Sequence, residues 1–201
     1  LSAIGDAQIK FVGSFSTSAL DKETHTEGVD KLFEDSVFVS PGQTAIISTG
    51  PLGGSITIDG NLDGASDPLG QFEDLIIEAG DGDVIILGDI GSDEPLRNLT
   101  ILSARNVTIF GSVNVSGEFK IVNASGEIRL GVALPNTSVG NTTAGSIDFT
   151  GGSEITFEGD VQTTDAAAPI SIRLSAPNAD SGNITFKQTV TTNGDLVVDS
   201  A

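Results

Sequence analysis

The chain has 201 residues and a formal net charge of -19, from 28 acidic and 9 basic residues. So acidic a surface repels nucleic-acid phosphates and anionic lipid, which makes both poor candidate partners, and neither nucleic-acid binding nor a membrane span is expected. There is no Cys, Met, Trp or Tyr, which excludes a disulfide framework and thiolate metal sites, and no apolar run approaches the roughly 18 residues of a membrane helix.

The first element is a strand at Ile9-Lys10-Phe11, followed by Gly13 and Phe15. It introduces a phrase, apolar-x-apolar-x-Gly-x-apolar, that recurs along the chain. The phrase returns at Ile56/Ile58/Gly60/Leu62, Val84/Ile86/Gly88/Ile90, Val107/Ile109/Gly111/Val113 and Ile155/Phe157/Gly159/Val161. At Ile184/Phe186/Val190, Gln188 replaces the glycine; at Ile128/Leu130, Gly131 arrives one residue early. Between the first two copies, residues 17–45 read as a charged insertion, with a short helix expected near Val29 to Phe33. The lone histidine, His25, falls inside it as a solvated loop residue.

From Leu75 onward each copy is preceded by a second strand. These strands start near Leu75, Leu99, Phe119, Ile147, Ile172 and Leu196, about 20 to 28 residues apart. Apolar residues alternate within them, as in Leu99-Thr100-Ile101, so each strand buries one face. Gly, Asn, Asp and Ser fill the joints, as tight turns require. Residues 132–145 read as a Pro/Asn/Thr-rich surface loop. A strand pair this small cannot bury its own apolar face, but stacked coils share a column of Ile, Val, Leu and Phe. The expected fold is therefore all-β, one parallel β-solenoid domain over residues 1–201. Propeller blades need longer, antiparallel units and are less consistent with this spacing.

The two ends match. Leu1-Ser2-Ala3 resembles Leu174-Ser175-Ala176, and Ala201 read into Leu1 nearly continues the pattern. That implies either a window of a longer tandem array or a subunit that stacks end to end. With no Met and a start at Leu1, the expectation is a processed protein or a segment of something longer.

Little points to catalysis. One histidine offers no triad, and no Gly-x-Ser-x-Gly or phosphate-binding loop is present. The paired carboxylates Asp81/Asp83 and Glu158/Asp160 have the residue types of a glycosidase couple. However, the equivalent positions elsewhere hold Asn61, Ser112, Phe110 and Lys187, as on a solvated face. The chain is expected not to be an enzyme, and no cofactor is expected beyond calcium. Gly80-Asp81-Gly82-Asp83, with Asp89, resembles one turn of an Asp-based calcium repeat, so Asp81, Asp83 and Asp89 are the calcium candidates. Of seven Asn-x-Ser/Thr sequons, those at Asn136 and Asn141 lie in the loop and are the first candidates for glycosylation.

The unit Leu-x-Ile-x-Ala-x-x-Gly-x-Val/Ile-x-Ile/Phe-x-Gly-x-Val, as in Leu75–Ile90 and Leu99–Val113, resembles the tandem repeats of bacterial surface proteins. These are of the filamentous-haemagglutinin or autotransporter-passenger type. The resemblance covers residues 1–16 and 46–201. It implies a secreted, extended right-handed β-helix at the cell surface, acting as an adhesin, fibre or matrix filament. Its partners would be further copies or coils of itself and a glycan or host-surface ligand. The alternative function is a carbohydrate-binding or polysaccharide-cleaving β-helix.

Overall fold

The computed structural model describes residues 8–11, 15–16, 23–25, 28–50, 52–65, 72–176 and 183–200. The first described coil holds β1 (Gln8–Phe11), β2 (Phe15–Ser16) and β3 (Glu23–His25). The next two hold β4 (Asp30–Phe33), β5 (Val37–Val39) and β6 (Gln43–Ser48), then β7 (Ile56–Ile58), β8 (Leu62–Gly64) and β9 (Glu73–Glu78). In the middle, β10 (Val84–Ile86) leads to β11 (Asn98–Ser103), β12 (Val107–Ile109) to the long β13 (Val113–Ala124), and β14 (Glu127–Leu130) to the long β15 (Thr142–Gly151). The last coils hold β16 (Glu154–Phe157), β17 (Val161–Thr163) and β18 (Ile170–Ala176), then β19 (Asn183–Phe186), β20 (Val190–Thr191) and β21 (Asp195–Ser200).

Each coil visits three faces, and every strand pairing is parallel. The first face is an eight-stranded sheet, β1-β4-β7-β10-β12-β14-β16-β19. A second begins as β2-β5-β8, passes through a bridge at Ile90, and continues along the leading halves of β13 and β15 to β17 and β20. A third runs β3-β6-β9-β11, then the trailing halves of β13 and β15, then β18 and β21. The protein is a three-faced parallel β-solenoid. Val107 pairs with Ile128, 21 residues on, and Ile155 with Ile184, 29 residues on. The coil length thus varies by whole loops while the strands keep register.

Register explains the core. Ile56, Val84, Val107, Ile128 and Ile155 form one inward column of the first face, each 0% exposed. Leu75, Leu99, Phe119, Ile147 and Ile172 form its counterpart on the third. Among these columns the rings of Phe149 and Phe157 stack 5.8 Å apart, and Phe157 on Phe186 at 5.0 Å. Removing apolar area on this scale is the main stabilising term of the fold, about 1.5–3 kcal/mol for each large side chain.

Three expectations are corrected. The stretch at Val29 to Phe33 is not helical: Asp30–Phe33 is strand β4, in register with β1 and β7. Within the expected insertion at 17–45, residues 30–33, 37–39 and 43–45 lie in coil strands, and His25 lies in β3, paired with Ser48. Residues 17–22 and 26–27 lie outside the described residues. The coil at 28–48 departs from the phrase because Lys31 occupies the first apolar slot and Asp35 the glycine slot. Lys31 is 1% exposed, in register with Ile9 on one side and Ile56 on the other, and its Nζ donates to the Ser48 carbonyl at 2.6 Å. That hydrogen bond offsets part of the cost of burying the ammonium. The loop expected at 132–145 is shorter, since β15 starts at Thr142.

Candidate functional site

The corners of the coil carry most of its polar chemistry. Where the first face turns into the second, a corner residue of one rung accepts from the backbone N–H of its counterpart in the next. Asn61 Oδ1 accepts from Asp89 at 3.0 Å, and Asp89 Oδ1 from Ser112 at 2.7 Å. Ser112 Oγ accepts from Asn141 at 3.3 Å, Asn141 Oδ1 from Asp160 at 3.0 Å, and Asp160 Oδ1 from Thr189 at 3.0 Å. A corner leaves backbone N–H groups outside the sheet ladder, and these side chains satisfy them. A second ladder runs along the opposite edge of that face. Asp30 Oδ1 accepts from Ser55 N–H, Ser55 Oγ from Asp83, Asp83 Oδ1 from Asn106, and Asn106 Oδ1 from Glu127.

Ion pairs cross the rungs in the same direction. Arg105 makes a two-pronged contact with Asp83, at 2.9 and 2.6 Å. Arg97 grips Asp74 the same way, and its guanidinium lies 3.8 Å above the Phe72 ring. Lys120 donates to Asp148 at 3.0 Å, and Arg129 and Lys187 converge on Glu158 at 3.0 and 2.9 Å. Burial pushes the Glu158 carboxyl up, but the bonds from Lys187 and Arg129 outweigh it and hold it below its ordinary value.

The calcium candidates separate in this frame. Asp83 and Asp89 sit on different ladders, at opposite ends of β10, and Asp81 is exposed in the turn before it. Among the described residues, no three His, Cys, Asp or Glu side chains gather as a metal site. Of the paired carboxylates, Asp83 is engaged by Arg105 and Asn106, Glu158 by its two cations and Asp160 by Thr189. Asn136 is exposed at the tip of the loop with φ 71°, following Pro135. A proline followed by a left-handed Asn suits a type II turn, which the Thr137 N–H to Leu134 carbonyl bond closes at 3.0 Å. Asn141 is exposed as well, with its Oδ1 in the corner ladder.

The hydrogen bond and charge of Arg105 hold the Asp83 carboxyl below its ordinary value of 3.8, against the opposing effect of burial. A carboxyl with a depressed folded pKa adds stability above its unfolded pKa. That contribution is lost as pH falls through the lower folded value. Asp83→Asn keeps an acceptor for Asn106 and removes the charge. It should lower the melting temperature at neutral pH, with the deficit shrinking as the buffer is taken below 3.8. A deficit unchanged across that range would assign Asp83 a packing role only.

One concave site stands out. Residues 131–139 are inserted between Leu130 and the corner Gly140-Asn141. Gly131, with φ 73°, turns the chain outward, and the loop closes where the Gly140 N–H donates to the Gly131 carbonyl at 3.1 Å. The loop leans toward the rung below, where Val132 N–H reaches the Ile109 carbonyl at 3.1 Å. Between it and the coil lies a groove of about 330 Å³, with Leu87 and Phe110 on the coil side, Leu134 and Val139 on the loop side, and Asn61, Asp89 and Ser112 along the corner. The sequence reading missed this site because it took Gly131 for the corner glycine. The available signal was the dipeptide at each corner: Gly60-Asn61, Gly88-Asp89, Gly111-Ser112, Gly140-Asn141 and Gly159-Asp160.

Fold and site together define a parallel β-solenoid with polar corner ladders and one loop-walled groove. Comparison with known family models, curated proteins and solved structures finds no match for the chain. No helix among the described residues is long and apolar enough to cross a membrane.

Proposed function

We propose that the chain is a structural solenoid segment of a secreted, cell-surface adhesin, fibre or matrix filament. The observation that carries this reading is the direction of its polar contacts. Corner side chains and cross-rung ion pairs tie each rung to the next, along the axis. Such a scaffold resists bending and local opening, because rung contacts are shared between nearest neighbours. Its acidic exterior keeps neighbouring rods apart. The core columns run to the last described rung, where Leu196 and Val198 are 44% and 48% exposed. A further rung stacked there, from a longer chain or a second copy, would cover them.

Negative-stain electron microscopy over a concentration series, with and without calcium, tests the structural role. The single chain, with eight described rungs about 4.8 Å apart, should appear as uniform particles about 35 Å long, and filaments of constant width at high concentration would identify a second copy as the next rung. Irregular aggregates in place of uniform particles or filaments would sink the role. Antibody against the chain should label intact cells that produce it; labelling only after permeabilisation would remove the surface assignment.

A further inference from the structure

We infer that the groove between residues 131–140 and the corner at Asn61, Asp89 and Ser112 binds a neutral saccharide. The inference goes beyond the structural role and does not depend on it.

The sequence builds this site by two local departures from the repeat. Directly before the corner glycine, the outward position holds Asp59, Leu87, Phe110, Glu158 and Lys187 in successive regular copies. Among the described regular copies it is apolar only at Leu87 and Phe110, the two rungs directly below the inserted loop. Both are half-buried, and the loop stands beside them rather than closing over them, which leaves the groove open. Its volume, about 330 Å³, is at the small end of ligand pockets.

The lining selects the ligand. Phe110 contributes an aromatic ring to the lining and Leu87 an aliphatic neighbour, side chains of the type that pack against the C–H face of a pyranose. Hydrogen-bonding capacity remains along the edge. Asp89 Oδ1 is engaged by Ser112, but Oδ2 has no hydrogen bond among the described residues. The Ser112 hydroxyl accepts from Asn141 and keeps its proton to donate. The Ser138 hydroxyl is exposed, with no hydrogen bond among the described residues. An acceptor and two hydroxyls beside a ring match a ligand with one apolar face and a row of hydroxyl groups. No Lys or Arg lines the groove, and with a chain charge of -19 that disfavours uronates, sulfated sugars and phosphates. A single carboxylate is too few ligands for calcium, which takes six to eight oxygens.

The test is a two-dimensional NMR titration of the intact chain. The probes are neutral gluco-, galacto- and manno-configured disaccharides, with choline chloride and calcium chloride in parallel. At least one disaccharide should shift amide signals at residues 87–89, 110–112 and 134–140, and not on the other faces. Phe110→Ala should weaken that binding by about tenfold or more. Its side chain points outward, so the spectrum of the remaining rungs should stay in place. Asp89→Asn keeps the Oδ1 acceptor of the corner ladder and should weaken saccharide binding without abolishing it. Silence of the groove signals to all three sugars at tens of millimolar would overturn the inference. So would shifts that survive Phe110→Ala, or a response to choline or calcium alone. None of these outcomes bears on rod formation, so the two readings fail separately.

Discussion

Phe149→Ala is expected to destabilise the solenoid by about 3–5 kcal/mol, the range for deleting a fully buried aromatic ring. Phe149 is 0% exposed, and its ring contacts one rung below and the opposite face. Edge-on contact with Phe119 is at 4.8 Å, and stacking on Phe157 at 5.8 Å. The cavity left by alanine would adjoin the Phe119, Phe157 and Ile121 columns, which are locked by parallel ladders above and below and cannot collapse into it. Urea unfolding followed by far-ultraviolet circular dichroism measures the loss. Phe149→Leu, which keeps most of the volume, should recover more than half of it. A loss under about 1 kcal/mol for the alanine variant would mean that this part of the column is not packed as described. Rungs of a solenoid couple only to their neighbours, so the variant should also broaden the transition, as the weakened middle lets the ends melt apart.

The repeat was legible because the parallel ladder demands the same inward residue type at each rung. Ile56, Val84, Val107 and Ile155 announce themselves at fixed places in the phrase, and each proved to be a column member. The second face was not legible as strands of its own. Its strands are only two or three residues long at β8, β17 and β20, too short to show alternation, and in β13 and β15 it merges with the third face into one strand. The coil at 28–48 was hidden because the core there accepts Lys31, whose ammonium finds the Ser48 carbonyl. Hydrophobic pattern cannot foresee a satisfied buried charge. The ladder roles of Asp83 and Asp89 were not legible for a related reason. Their spacing fits a calcium turn, but the coil sends them to two different edges, where backbone N–H groups and Arg105 engage them. The groove was missed because a loop inserted before the corner displaces the glycine that marks it. The residue following that glycine, Asn, Asp or Ser, is the more faithful marker, since it makes the bond to the next rung.

Gly111→Val is expected to be the most disruptive single change at the surface-facing corners. Gly88, Gly111, Gly140 and Gly159 stack directly over one another, and the constraint is close approach rather than backbone conformation. A Cβ on Gly111 would lie within 3.0 Å of the Gly88 carbonyl oxygen and 2.6 Å from Asp89 Oδ1. Backbone on a ladder cannot swing aside without breaking its own hydrogen bonds, so the rung spacing itself must open. Alanine should cost about 1–3 kcal/mol, the usual penalty of overpacking, and valine more. Asp35 and Gln188 carry side chains at this corner toward the two ends, so the exclusion belongs to the rungs between them. A paired substitution separates sterics from the lost ladder bond. Asp89→Ala removes the acceptor of the Ser112 N–H and should cost about 0.5–1.5 kcal/mol alone. Combined with Gly111→Ala it also removes one of the clashing atoms, so the double variant should be less destabilised than the sum of the two. Strict additivity in denaturant unfolding would show that the corner relaxes freely, and that these glycines answer to something other than the approach of successive rungs.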